Sequence, residues 1–160
     1  MIISLGSDHR GEEVRDHVRD LLKLANHEVL LFAAPDGDGK SCDYPDVAHP
    51  VAAAVTDGKA ERGILVCGSG IGMSIAANKV AGVRAALVHD EIGAQMSRQH
   101  NDANVLCLSA DMLGMRIIDR LVTLWLETSF EGGRHARRVD KIMAIEKGLD
   151  PTQTAQTTSG

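Results

Sequence analysis

Five short apolar runs divide the chain: Ile2 to Leu5, Val29 to Phe32, Ile64 to Cys67, Ala85 to Val88 and Val105 to Leu108. Between them lie segments with helical periodicity. Val14, Val18, Leu21, Leu22 and Ala25 form one stripe, and Met112, Met115, Ile118, Val122 and Trp125 form another. Strands apolar on both faces must be covered on both faces, and strands joined through helices run parallel. The pattern predicts a doubly wound α/β fold around a five-stranded parallel sheet. A last helix is expected over about 134–147, with Val139, Ile142 and Met143 apolar and Gly148 ending it. No strand follows that helix, so its stripe is expected to pack on a second copy of the chain, in a homodimer or a dimer of dimers. Residues 1–149 read as one domain, and the polar stretch 150–160 as a tail without structure.

Composition removes several classes of function. Apolar residues make up 44% of the 160 residues and aromatics only 2%, so the core is aliphatic and no aromatic platform for stacking bases exists. The net charge of -5 also opposes phosphate-backbone binding, which excess Lys and Arg would carry. Nucleic acid is therefore not an expected partner. No apolar run reaches membrane-spanning length and the first residues lack a basic, then apolar, leader pattern, so a soluble cytoplasmic chain is expected. Cys42, Cys67 and Cys107 are an odd set with no C-x-x-C pair, which speaks against a disulfide framework and a thiolate zinc site and for a reducing compartment.

Doubly wound sheets bind ligands beyond the carboxyl ends of their strands. That rule selects Gly6-Ser7-Asp8-His9, Cys67-Gly68-Ser69-Gly70-Ile71-Gly72, His89-Asp90 and Ser109-Ala110-Asp111. The second of these is a strand, a glycine-rich turn and a helix start, where converging N–H groups suit an anion or oxyanion; a tight turn made only for packing would look alike. Cys67 stands at the head of that turn, a position that favours thiolate, whereas Cys107 lies inside an apolar run and reads as a small hydrophobe. Asp8 and His9 can reach the mouth of the sheet or form a solvated turn. His100, between a helix and the fifth strand, is either an idle loop residue or a proton shuttle. Arg134 and Arg138 share one helix face, suited to a phosphate dianion, although cations are otherwise unfavourable at a helix start.

Three familiar patterns fail on inspection. A dinucleotide fingerprint needs a glycine where Met73 stands, although Asp90 lies at the distance of a ribose-binding acid. The run Ala34 to Ser41 ends like a P-loop but begins with alanine, and Pro45 is expected to keep a helix from starting at once. Gly68-Ser69-Gly70 lacks the outer glycines of a nucleophile elbow. A nucleotide- or metabolite-binding module without catalysis remains the alternative from another class.

Five blocks in unbroken order, Gly6-Ser7-Asp8-His9, Asp43-Tyr44-Pro45, Cys67 to Lys79, Ser97 to Asp102 and Glu131-Gly132-Gly133-Arg134-His135, resemble the ribose-5-phosphate isomerase B family; galactose-6-phosphate isomerase subunits are similar. The resemblance implies a Rossmann-like α/β/α sandwich with an extra C-terminal helix, a dimer with shared active sites, no metal or cofactor, and interconversion of D-ribose 5-phosphate and D-ribulose 5-phosphate. It implies that Cys67 moves the proton between C1 and C2, while Ser69 and the Gly70, Ile71 and Gly72 amides hold the enediolate. His100 would donate to the ring oxygen. Asp8, His9, Tyr44, Gly68 and Asn101 would contact the sugar, and Arg134 and Arg138 would reach its phosphate from the partner chain. Two positions depart from the family pattern: Arg10 stands for a small residue and Asp111 for an arginine. An acid at 111 would repel phosphate unless Arg10 or Arg137 compensates, which leaves galactose 6-phosphate, allose 6-phosphate and a tetrose 4-phosphate as alternative substrates.

Overall fold

The structure, a computed structural model, describes residues 1–37 and 39–153. Each apolar run forms a strand: β1 (Ile2–Ser7), β2 (Glu28–Phe32), β3 (Arg62–Cys67), β4 (Ala85–Leu87) and β5 (Val105–Ser109). All neighbours pair in parallel, in the order β2-β1-β3-β5-β4. Six helices accompany them among the described residues: α1 (Glu12–Leu24), α2 (Tyr44–Thr56), α3 (Ile71–Ala77), α4 (Glu91–Gln99), α5 (Met115–Glu127) and α6 (Arg134–Glu146). Side chains alternate along a strand, so β3 feeds two cores. Ile64 and Val66 pack with Val14 and Val18 of α1, Ala94 of α4, and Ile118 and Trp125 of α5. Leu65 and Cys67 pack on the opposite face with Val47 and Val51 of α2 and Met73 and Ala77 of α3. This is the expected α/β/α sandwich, with α6 as the extra helix.

The structure differs from the sequence reading at two helices. Pro45 does not delay a helix: α2 begins at Tyr44 with the proline in its first turn, where the missing N–H would have had no intrahelical partner anyway. Met112 does not join the α5 stripe. The extended backbone of Gly114 breaks the helical phase ahead of Met115 and leaves Met112 60% exposed. In the P-loop-like segment Asp38 lies outside the described residues. Of the tail, residues 150–153 form a turn and 154–160 lie outside them. No described helix is long and apolar enough to cross a membrane.

Arg62, which opens β3, ties the sheet to the end of α5. Its Nη1 donates to the carbonyls of Trp125 (3.0 Å) and Leu126 (2.9 Å), groups that the helix itself leaves without partners. Its guanidinium also lies 5.2 Å from the centre of the buried Trp125 ring. Burial, with Arg98 nearby, pulls the Arg62 pKa down to about 10, so it stays charged at neutral pH. Replacing Arg62 by Ala orphans both carbonyls and is expected to cost about 2 kcal/mol of unfolding free energy, read from urea denaturation midpoints; a change within about 0.5 kcal/mol would refute the tie.

Candidate active site

From β1 the chain winds outward to β2, and from β3 it crosses the other way to β4 at the far edge before returning to β5, so the carboxyl ends of β1 and β3 flank the point where winding reverses. Ser7 pairs with Val66, and the Asp8 amide donates to the Val66 carbonyl at 3.3 Å. Asp8 therefore leaves the sheet beside Cys67. Its carboxylate is buried, and Oδ1 accepts the amides of Arg10 (3.0 Å) and Gly11 (3.2 Å), which fixes the loop. His9 lies further out, its Nδ1 accepting the Cys42 amide at 3.4 Å.

Cys67 is only 5% exposed, and its Sγ accepts the Gly70 N–H at 3.1 Å. Gly70 makes this possible through a left-handed backbone, φ +76°; a Cβ there would meet Leu87 Cδ1 at 2.5 Å. Ser69 Oγ accepts the Ile71 amide at 3.3 Å. The Gly70 amide thus goes to the sulfur and the Ile71 amide to the Ser69 hydroxyl. The Tyr44 ring, partly exposed, lies over Gly72. From β5, Ser109 Oγ donates to the Gly68 carbonyl at 2.6 Å and the Asp111 amide donates to it at 3.0 Å, so the loop is braced from below. Cys107, fully buried, has its thiol pushed up by burial and stays protonated.

Arg10 and Asp111, the two departures from the family pattern, meet each other. Arg10 Nη2 lies 2.7 Å and Nε 3.2 Å from Asp111 Oδ2, across Gly68, where any Cβ would come within 2.8 Å of both side chains. The acid is compensated by Arg10, one of the two candidates; Arg137 lies on α6.

The remaining sequence-selected residues lie elsewhere. His100 caps the C-terminal end of α4, which runs back along the sheet from Asp90. Asn101 and Asp102 give their carbonyls to Arg84 Nε at 3.0 Å each, just before β4, and the Asn104 carbonyl accepts the Gly63 amide at the start of β3. His100, Asn101, Arg134 and the beginning of α6 therefore gather at the amino ends of the strands. At about 3.3 Å per residue, the length of β3 puts them some 17 Å from the thiol within one chain. Within one chain the two groups of residues lie at opposite ends of the sheet. Asp90, the acid at a dinucleotide-like distance, has its Oδ1 occupied by the Gly93 amide at 2.6 Å as the cap of α4, next to the edge strand rather than at the crevice.

The group at the amino ends contains a residue to which the sequence reading gave no role. His135 is 4% exposed and its ring stacks on that of His100, with centroids 4.2 Å apart and planes within 1°. Ligand atoms of His100, Glu131 and His135 lie within 4.8 Å of one another. Parallel rings cannot share a metal, however, because each imidazole binds one in its own plane at about 2.0–2.1 Å. The spacing Glu131-x-x-x-His135 was the available signal, since it puts both side chains on the approach to one helix face.

Fold and crevice together define a Rossmann-like protein with a small-metabolite site. The family model described as Ribose/Galactose Isomerase matches residues 3–142, and the chain belongs to that family. It is 41% identical over 145 residues to ribose-5-phosphate isomerase B of Escherichia coli, covering 91% of this chain and 96% of that one. It is 41% identical over 140 residues to D-erythrulose-4-phosphate isomerase of Pectobacterium atrosepticum, covering 88% and 91%. The structure of Clostridium thermocellum ribose-5-phosphate isomerase B superposes with a TM-score of 0.90 at 47% identity, covering 92% of this chain and 99% of that one.

Burial holds the His135 pKa below the usual imidazole value of 6.5, helped by His100, Arg134 and Arg138 and opposed by Glu131. An unfolded chain takes up a proton as pH falls through 6.5, and the folded His135 does not, so stability is lost as pH falls below that value. Thermal midpoints measured from about pH 8 down to about pH 5.5 should decline less in His135→Leu than in wild type; parallel declines would remove His135 as a source.

Proposed function

We propose that this protein interconverts D-ribose 5-phosphate and D-ribulose 5-phosphate, with each active site built from two copies of the chain. The observation that carries the reading is the Cys67 thiol under the Gly70 amide at the switch point, with proton donor and guanidinium groups at the opposite edge. In the open-chain aldose, Cys67 as thiolate takes the proton from C2; the electron pair moves into an enediolate, the O2 hydroxyl proton passes to O1, and the proton held on Cys67 returns at C1. Ser69 and the amides of Ile71 and Gly72 carry the negative oxygen, a role for donors fixed before the substrate arrives. Asp8, His9, Tyr44 and Gly68 border the sugar. From the partner subunit, His100 protonates the ring oxygen to open the furanose, Asn101 contacts the substrate, and Arg134 and Arg138 hold the phosphate.

The assembly reading is supported by α6, whose Ile142 and Ile145 are 43% and 59% exposed, and by Ile71 and Ile75 of α3, which stand uncovered beside the thiol loop. A twofold arrangement would bring the edge of one sheet to the opposite edge of the other. The three described cysteines are free thiols, which suits a cytoplasmic, reducing location. Residues 1–149 form the catalytic unit in this reading.

Subunit mixing gives the decisive test. Cys67→Ala and His100→Ala homodimers should each lose about 10²-fold or more in turnover of D-ribose 5-phosphate. Unfolded together and refolded, they should recover about a quarter of wild-type activity, because half the dimers are mixed and one of the two sites in each is intact. No recovery on mixing would overturn the shared site, and unchanged turnover in Cys67→Ala would remove the base.

The D-erythrulose-4-phosphate isomerase relative keeps a second substrate in view, and the ion pair beside Gly68 bears on it. Arg10→Ala leaves the Asp111 carboxylate uncompensated at an anion-binding mouth and should raise KM for the sugar phosphate by about tenfold, more than the Arg10→Ala, Asp111→Ala double variant does. Comparing KM for four-, five- and six-carbon phosphates in these variants checks it; equal KM in the single and double variants would separate the pair from substrate binding.

A further inference from the structure

We propose that His135 is a positioning residue for ring opening: it holds the His100 imidazole flat against its own ring, in the orientation from which His100 reaches the ring oxygen. The inference rests on the reading of His100 as ring-oxygen donor. Three features of the group at the amino ends support it.

The first is geometric. His100 follows the last turn of α4, where its backbone N–H donates to the Met96 carbonyl at 2.9 Å, and its half-exposed side chain would otherwise be free to rotate about two bonds. Contact with a parallel ring at 4.2 Å removes most of that freedom. His135 is fit to act as the support because it is buried at the start of α6, and the Glu131 amide donates to the Gln99 carbonyl at 3.1 Å, which ties the α6 approach to the end of α4.

The second is the protonation pattern. Arg134 Nε, a permanent donor, lies 3.3 Å from His135 Nε2, so that nitrogen must accept. A doubly protonated His135 would turn an N–H toward that N–H. Arg134 and Arg138 from α6 and His100 from α4 face it with positive or potentially positive charge, and Glu131 Oε2, 3.5 Å from the same Nε2, opposes them only in part. Two stacked imidazolium ions would repel strongly at this distance. The buried ring is thus the support, and the outer, more exposed His100 ring is the one able to reach a substrate.

The third is that no bound metal explains the cluster, because the rings are parallel. The arrangement is a stack, and a stack orients.

Proton exchange and isomerisation separate this role from general damage. D-Ribose 5-phosphate is a furanose that must open, whereas D-ribulose 5-phosphate, with its C5 oxygen esterified, is already open-chain, and exchange of its C1 hydrogen with solvent needs only the carbon base. His135→Leu should lower kcat/KM for isomerisation about tenfold, equally in both directions, while leaving the rate of solvent deuterium exchange into C1 of ribulose 5-phosphate, followed by NMR, within about twofold. His135→Phe, which restores a flat ring that cannot titrate, should recover most of the loss. Equal loss of isomerisation and exchange, no loss, or no recovery with Phe in variants whose thermal midpoints show them folded would overturn the inference. His100→Ala is the control. Loss of isomerisation without loss of exchange there, with none in His135→Leu, sinks the positioning role alone, and loss of both in His100→Ala sinks the ring-opening assignment and this inference with it.

Discussion

The hydrogen bond from the Gly70 amide to the Cys67 sulfur depends on nearly everything else in the molecule. It requires a residue that accepts a left-handed backbone three positions after the strand, and a turn packed too closely against Leu87 and Leu108 for any side chain there. It also requires β3 to be central, because only flanking strands on both sides let β1 deliver Asp8 and β5 deliver Ser109 to the same loop. The strand order, the two aliphatic cores and the loop hydrogen bonds combine to keep one sulfur and one N–H facing each other. Burial, with Cys67 beside it, pushes the Cys107 thiol up and keeps it protonated.

Much of this was legible in the chain. Strands buried on both faces write themselves as continuous apolar runs, and α1 announced itself by a clean stripe, Val14, Val18 and Leu22, that is buried as the spacing required. Helix α2 was not legible, because Pro45 and Pro50 mask it and its buried face is mostly alanine and valine, residues that mark no periodicity against an equally small background. Around the thiol, residues were found because they follow strands in a fold whose ligand edge is known in advance. The place of His100 was harder to read. Counting would have found it: α4 has nine residues, and at about 1.5 Å each a helix of that length returns the chain across the full height of the sheet. The Arg10 and Asp111 side chains were singled out separately, but their meeting over Gly68 is a tertiary fact, since 101 residues separate them.

The family assignment and the geometry explain one another. A sugar-phosphate isomerase of this kind must open a ring, move a proton between carbons and hold a dianion, and this chain sets a thiol with its amide turn at one end of its sheet and stacked imidazoles with the α6 arginines at the other. The amino-end edge is built with as much care as the other. Arg98 donates to Asp102 at 2.8 Å and to the Ala103 carbonyl at 2.7 Å, and Arg84 donates to Asp102 at 3.0 Å, so the turn carrying His100 and Asn101 is pinned by two guanidinium groups. Asp102 adopts a left-handed backbone, φ +45°, at the centre of that network, a strain maintained by the bonds around it.

The height of the sheet consequently acts as a ruler. Lengthening β3 and β5 by two residues would preserve their alternation, both cores and every local hydrogen bond at either edge, yet would push the thiol and the imidazole about 7 Å further apart along the strands. An ordinary parallel sheet tolerates such growth. In the proposed two-copy site, strand length would be limited by the span of one five-carbon molecule, a constraint that acts on residues that never touch it.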